Sequence, residues 1–273
     1  MRRRQVLRHL ALAGGTAASL TTAGCSDAMN GTSDAPSDTS PSRSGERSTP
    51  PPNSDVDGDG FTVCEERKLL DGAEVGRMDI YVEVDWTEGN RPDPAEFDRL
   101  TDVYDTAPVD ASHGATPGMN LHITYGEPVP ARSDPFGLDE LHDYRREYFE
   151  NAGRGYHYAL FVEEVEPPAF GREDEGHLLV QSRLPDSQRT LTQVFAHELG
   201  HALGLTRDVF EGVDSARTHP FEEYPSVMNY DTEDELLDFS DGTNSEADFD
   251  DWGYLAENLS VPDTGALETT DDC

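Results

Sequence analysis

Residues 188–205 read QRTLTQVFAHELGHALGL. Apolar residues fall at 191, 194, 195, 199, 202, 203 and 205, with no proline inside the run. Steps of three and four are the period of an amphipathic helix. Gly204 stands where such a helix would stop. His197 and His201 are four apart, so they lie one turn apart on the same face. Two imidazoles so placed can reach one metal ion at about 2.0–2.1 Å. Glu198 follows the first of them, so its carboxylate lies beside the ion rather than on it. A base in that position can take a proton from a metal-activated water.

Further along, Ser226-Val227-Met228-Asn229-Tyr230 follows in the same order along the chain. The stretch His197-Glu198-Leu199-Gly200-His201-Ala202-Leu203-Gly204 resembles the zinc-binding signature of the metzincin peptidases, H-E-x-x-H-x-x-G-x-x-H. Ser226 to Tyr230 resembles their Met-turn. The resemblance covers about residues 77–260. It implies Met228 packed beneath the metal, Tyr230 stabilising an oxyanion, and zinc-dependent hydrolysis of a peptide or protein substrate. One position departs from the pattern. Six residues after His201 comes Arg207, whose guanidinium is always protonated and has no acceptor. Asp208, one residue on, is the first candidate for the third ligand, because carboxylates bind zinc. His219, at the end of a longer loop, is the second and Asp214 the third. A rival reading is a metal-binding surface protein without catalysis, in which Arg207 marks a lost ligand.

Upstream of this helix, strand and helix patterns alternate. Arg77 to Trp86 (RMDIYVEVDW) alternates with apolar residues at 78, 80, 82 and 84, as in a strand with one buried face. Residues 93–105 and 139–151 have helical spacing, the first with Pro94 in its opening turn. Residues 121–125, 156–165 and 176–182 read as strands, and Phe249 to Leu255 as a last helix. The order β-α-β-α-β-β-α predicts an α/β (α+β) fold with a twisted, mostly parallel sheet. A metzincin-like zincin would add an antiparallel edge strand over the cleft and an irregular C-terminal subdomain. Gly176 to Val180 is the candidate for that edge, with His177 as an exposed edge residue outside the site. About 200 residues are enough for one domain with a sizeable core, residues 67–273, and a monomer is expected.

Asp55-Val56-Asp57-Gly58-Asp59-Gly60 continues to Glu66. Asp at loop positions 1, 3 and 5, Gly at 6 and Glu at 12 match an EF-hand-type calcium loop. Phe61 at position 7 would offer its backbone carbonyl. With no convincing helix before Asp55, residues 55–66 look more like an isolated calcium loop that stiffens the start of the domain. Calcium is therefore expected beside zinc. Cys64 and Cys273 could pair or remain free thiols.

Arg2-Arg3-Arg4-Gln5-Val6-Leu7 resembles a twin-arginine export signal. The weakly apolar stretch from Leu10 to Ala23 is too short and too rich in Gly and Thr for a comfortable membrane span. It ends at Thr22-Ala23-Gly24-Cys25, which resembles a lipobox. Residues 1–24 are thus expected to be a signal, Cys25 the lipid attachment point, and 25–54 a solvated tether of Ser, Thr, Pro, Asp and Gly. The expected location is the outer face of the cell membrane, held through the lipid alone, or secretion.

The chain carries 56 Asp plus Glu against 20 Lys plus Arg, a formal charge of −36. Loss of residues 1–24 would remove Arg2, Arg3, Arg4 and Arg8 and no acid, deepening the charge to −40. Such a surface disfavours nucleic acid and acidic membranes as partners. It would repel itself in dilute buffer, whereas at molar salt the Debye length falls to about 3 Å. A salt-adapted protein of a halophile is the expectation. Far-UV circular dichroism should show loss of structure on desalting, and an unchanged spectrum would count against salt adaptation.

Overall fold

The computed structural model describes residues 49–109, 117–185, 189–232 and 235–267. The expected signal, Cys25 and most of the tether lie outside them, as does Cys273. Five strands and five helices follow one another as α1 (Val63–Lys68), β1 (Asp79–Thr87), α2 (Pro94–Asp105), β2 (Asn120–Val129), α3 (Leu138–Tyr148), β3 (Tyr156–Val162), β4 (Gly171–Asp174), β5 (His177–Gln181), α4 (Leu191–Ala202) and α5 (Asp251–Asn258). The sheet order is β2-β1-β3-β5-β4. β1 pairs in parallel with β2 and β3, and β3 with β5; only β4 runs antiparallel, against β5. The chain therefore has the α/β fold expected, with a mostly parallel sheet and an antiparallel edge.

The edge is a different strand from the one expected. His177–Gln181 is an inner parallel strand with every residue buried. The edge is Gly171–Asp174, half-buried along its length. Physical chemistry accounts for the exchange. A run buried on both faces reads as continuous apolar sequence, as in Leu178-Leu179-Val180, whereas Arg172-Glu173-Asp174 suits a solvated edge. A two-residue loop, Glu175-Gly176, joins the pair. Both loop residues have positive φ, 50° and 79°, the combination of the hairpin turn whose twist matches its strands. His177 is correspondingly buried, and its Nδ1 accepts the Tyr158 N–H at 3.1 Å.

β1 differs from expectation too, because both of its faces are covered. Ile80, Val82, Val84 and Trp86 join the main core with Phe97, Leu100 and Tyr104 of α2 and Val194, Phe195 and Leu199 of α4. The opposite face carries acids that alternation alone would place in water. Their oxygens are occupied instead. Glu83 accepts the backbone N–H groups of Glu150 and Asn151 at 2.9 Å each, and Asp85 accepts Glu127 N–H and the Tyr158 hydroxyl. Buried polar groups persist where such partners exist. The second core, on the α3 side, holds Leu141, Tyr144, Tyr158, Leu160 and Leu179.

The described residues before α1, 49–62, belong to the same unit as the sheet. The carbonyls of Pro52 and Ser54 accept the N–H groups of Cys64 and Val63, satisfying donors that the first turn of α1 would leave orphaned. Residues 51–54, expected within the tether, are exposed or half-buried and are tied to α1 by these bonds. Thr62 and Glu65 cap α1 reciprocally. Cys64 is disulfide-bonded. Between α4 and α5 the described residues form turns without a helix or strand, the irregular region expected before the last helix.

Two buried histidines make the hairpin sensitive to acid. Burial pulls His157 down to about 4 and His177 to about 3. Protonation of His177 Nδ1 would also break its bond from Tyr158. A histidine depressed in the native state takes up its proton only on unfolding, so its contribution is full above about pH 6.5 and is lost below it. Unfolding free energy should fall as pH drops from about 6.5 toward 4, and less steeply in His177→Gln, measured by denaturant titration at each pH.

Candidate metal centre

The helix carrying the two histidines is fixed at both ends. At its start, Thr190 Oγ1 accepts Gln193 N–H at 3.2 Å while Gln193 Oε1 accepts Thr190 N–H at 2.9 Å, a reciprocal cap. At its end, Gly204 takes φ 115°. Leu205 N–H donates to the Gly200 carbonyl and Gly204 N–H to the His201 carbonyl, the two bonds of a Schellman motif. The chain then turns back, and the Leu205 carbonyl accepts from His201 Nδ1 at 2.7 Å. His197 Nδ1 lies 2.9 Å from the Val227 carbonyl. With both Nδ1 atoms donating to backbone carbonyls, both Nε2 lone pairs face the same point.

At that point stands Asp214. Its Oδ1 is 2.9 Å from His197 Nε2 and 3.2 Å from His201 Nε2, and the two Nε2 atoms are 3.2 Å apart. A tetrahedral ion about 2.0–2.1 Å from each ligand needs donor atoms about 3.3 Å apart. The triangle fits within a few tenths of an ångström, so these three residues could hold zinc. Asp214 reaches the site at φ 57° with its N–H donating to the Met228 carbonyl at 3.0 Å. Aspartate is among the few side chains that tolerate that backbone region.

The other candidates lie elsewhere. Asp208, the first choice from sequence, is exposed and outside the group, as is Arg207. His219 stacks on Phe210 at 5.0 Å and faces Glu211 and Glu223. The ligand is displaced because the segment after Leu205 makes two successive turns before it returns. Val209 and Phe210 N–H groups bond to Thr206, and Val213 N–H to Phe210. Phe210 anchors these turns against Tyr224 and Phe249, at 4.9 Å each.

Beside the triangle, reached by its His197, a cleft of about 590 Å³ is lined by Phe170, Gly171, Arg189, His197, Glu198 and Tyr230. Glu198 is buried beneath β4. A Cβ on Gly171 would come within 2.5 Å of Glu198 Cγ and Oε1, so the glycine that begins the edge strand leaves room for the carboxylate. Tyr230, 56% exposed, stacks on the His197 ring at 5.5 Å. Met228 is fully buried beneath the helix; a Cβ on Gly200 would lie 2.4 Å from its sulfur.

No family model matches the chain, and no curated protein matches it. Solved structures similar to it include metalloproteinase-II from Bacteroides fragilis, at 13% identity over 67% of this chain and a TM-score of 0.41. The match covers 53% of that chain, so the protein spans about half of its neighbour's length.

Electrostatics sort the roles within the cleft. Burial pulls His197 down to about 4. Burial would do the same to His201, but its bond to Asp214 and that carboxylate's charge more than offset it and push it up to about 9. Burial alone would raise Asp214; the two imidazoles instead hold it far below the usual carboxylate range. Burial raises Glu198 to about 7. Burial and the Asp214 carboxylate keep the Tyr230 phenol protonated, up to about 12.

Arg189 is a residue that sequence reading missed. Its guanidinium lies over the Tyr230 ring at 5.5 Å and donates through Nη2 to the Asn229 carbonyl. Its Nη1 is also 3.0 Å from His197 Nδ1. That nitrogen cannot accept from Arg189 while donating to Val227, and the converging Nε2 lone pairs favour the Val227 bond. Arg189 precedes the helix cap by one residue, which gives no periodic signal. The Met-turn has a second support: Asp251 at the start of α5 accepts from Ser226 and Tyr224 hydroxyls and the Ser240 N–H.

Gly200→Ala should cost about 1–3 kcal/mol, because the added methyl overpacks Met228 and Phe239. Chemical denaturation would measure it; an unchanged midpoint would show that the Met-turn does not seat against that glycine.

Proposed function

We propose that the chain is a zinc-dependent endopeptidase. The observation that carries this reading is the convergence of His197 Nε2, His201 Nε2 and Asp214 Oδ1 within 3.2 Å of one another, with Glu198 beside them. Zinc held by these three residues would supply Lewis acidity toward a water and toward the scissile carbonyl. Glu198 takes the proton of the attacking water and passes it to the leaving amine nitrogen as the C–N bond breaks. Its burial favours this role, since a base poised near neutrality exchanges protons most readily. Tyr230, protonated and half-exposed at the cleft, donates a hydrogen bond to the carbonyl oxygen as that oxygen gains charge. The peptide lies extended along the open edge of β4, whose outer side pairs with no described strand. That edge starts at Gly171, against Glu198, so a bound backbone passes over the base.

The observation that favoured a non-catalytic protein was Arg207 in place of a ligand. Asp214 supplies a carboxylate at the same centre and removes that support. The reading extends to export and anchoring: Arg2-Arg3-Arg4 and Thr22-Ala23-Gly24-Cys25 support a lipid-held enzyme outside the cell.

Zinc analysis and hydrolysis of an unfolded protein in molar salt test the reading together. The parent should bind one zinc and cleave. Glu198→Gln should keep the zinc and lose cleavage by at least about 100-fold. Asp214→Ala should lose the zinc, while Asp208→Ala should keep both zinc and activity. Zinc retained in Asp214→Ala and lost in Asp208→Ala would overturn the ligand assignment.

A further inference from the structure

Outside the His197–His201–Asp214 centre, five carboxylates gather where the N-terminal loop meets the first strand. Oxygens of Asp55, Asp57 and Asp59 lie within 4.8 Å of one another, and so do oxygens of Asp59, Glu66 and Asp79. Asp59 belongs to both groups. Asp79 is the first residue of β1 and lies outside the 55–66 loop that sequence singles out. Three of the oxygens have no partner. Glu66 is 2% exposed, yet neither Oε1 nor Oε2 receives a hydrogen bond, and Asp57 Oδ1 is likewise buried and unmatched. The other oxygens are positioned by donors: Asp55 by Gly58 and Gly60 N–H, Asp57 Oδ2 by Gly76 N–H, Asp59 by Phe61 and Asp79 N–H. Asp79 Oδ1 receives Asn120 Nδ2 and lies 2.6 Å from His122 Nε2.

A buried carboxylate with both oxygens unmatched is costly unless a proton or a cation sits against it. Two features select a cation over protons. The unmatched oxygens, both from Glu66 and one from Asp57, fall on the two carboxylate groups that Asp59 joins. The sequence supplies the glycine turns, Gly58 and Gly60 at φ 89° and 86°, that let a short loop wrap one ion. An all-oxygen set of six or more donors suits calcium, not zinc, which prefers nitrogen and sulfur, and not magnesium, which keeps its waters.

We infer that Asp55, Asp57, Asp59, the Phe61 carbonyl and Glu66 bind one calcium ion together with Asp79, so that the ion clamps the N-terminal loop onto β1, an inner strand of the sheet. The clamp closes over an aromatic cluster. Phe61 meets Tyr81 edge-on at 5.7 Å, and Tyr81 stacks on His122 at 4.4 Å and packs on Tyr156. Calcium on this reading is a fastener of the fold and independent of catalysis.

The test uses the full chain stripped by chelator and reloaded with one equivalent of zinc, so that loss of the zinc centre cannot mimic the result. Calcium is titrated calorimetrically in molar NaCl, with melting followed in calcium, in magnesium and in neither. Terbium provides a second readout, because its sensitised emission requires an aromatic side chain near the ion and Tyr81 lies two residues from Asp79; the emission should fall in Tyr81→Leu. One calcium should bind, raise the melting temperature more than magnesium does, and quench terbium emission by displacement. Glu66→Gln should lower calcium affinity at least 10-fold and also raise the melting temperature without calcium, since it removes a repelling charge. Asp79→Asn should lower affinity at least 10-fold, while the exposed Asp71→Asn leaves it unchanged. If Asp79→Asn fails to fold, the terbium signal and the Glu66→Gln pair still decide. No calcium bound, or a melting shift equal in parent and Glu66→Gln, would overturn the site and leave protons as the neutralising species. Calcium binding unaffected by a folded Asp79→Asn would overturn the clamp.

Discussion

Two imidazole lone pairs and a carboxylate oxygen held within 3.2 Å of one another form an arrangement that repels itself without a positive charge between them. Everything near the centre resists that repulsion. Each imidazole is turned by a backbone carbonyl, His197 by Val227 and His201 by Leu205, and the carboxylate by the N–H of Asp214 on the Met228 carbonyl. Backbone groups cannot rotate away as side chains can, so the three side chains are positioned by the fold rather than by each other. The Met-turn contributes two of these three contacts. Its own hold on the domain runs through Asn229, whose side chain bridges His219 and Tyr224 carbonyls, and through Asp251.

The same solution recurs in the sheet. Acidic residues stand inside the protein at Glu83 and Asp85, each met by backbone or side-chain donors. In a chain with so many acids, some must fall on inward positions of strands. What distinguishes the loop at 55–66 from these is the unmatched remainder on Glu66 and Asp57. Satisfied buried acids are structural; unsatisfied ones crowded together imply a missing charge.

Much of this could be read before any coordinates. His197, Glu198 and His201 share one helical turn, so local spacing alone places them, and Met228 and Tyr230 lie in a short string. Apart from α1 and β4, the strands and helices are legible to within a few residues, because apolar periodicity is a local signal. What escaped reading depends on tertiary packing. Asp214 was only the third choice because the length of the intervening loop is set by where Phe210 docks, and no periodicity encodes that. β4 escapes because a glycine and three charged residues carry no strand pattern, and only the hairpin partner makes Gly171–Asp174 a strand. Its absence from the reading then pushed the edge role onto His177–Gln181. Arg189 and Gly171 matter through what approaches them from elsewhere in the chain, as does Asp79.

The bond from His201 to the Leu205 carbonyl has a mechanical consequence. Leu205 is also the residue whose N–H closes the helix end on Gly200. Helix termination and ligand orientation are therefore one unit. If the last turn frays, the imidazole loses the carbonyl that aims it. An ion gripped by that imidazole in turn holds the last turn wound. The lifetime of the ion on the protein and the breathing of the final helical turn would share a single rate-determining opening.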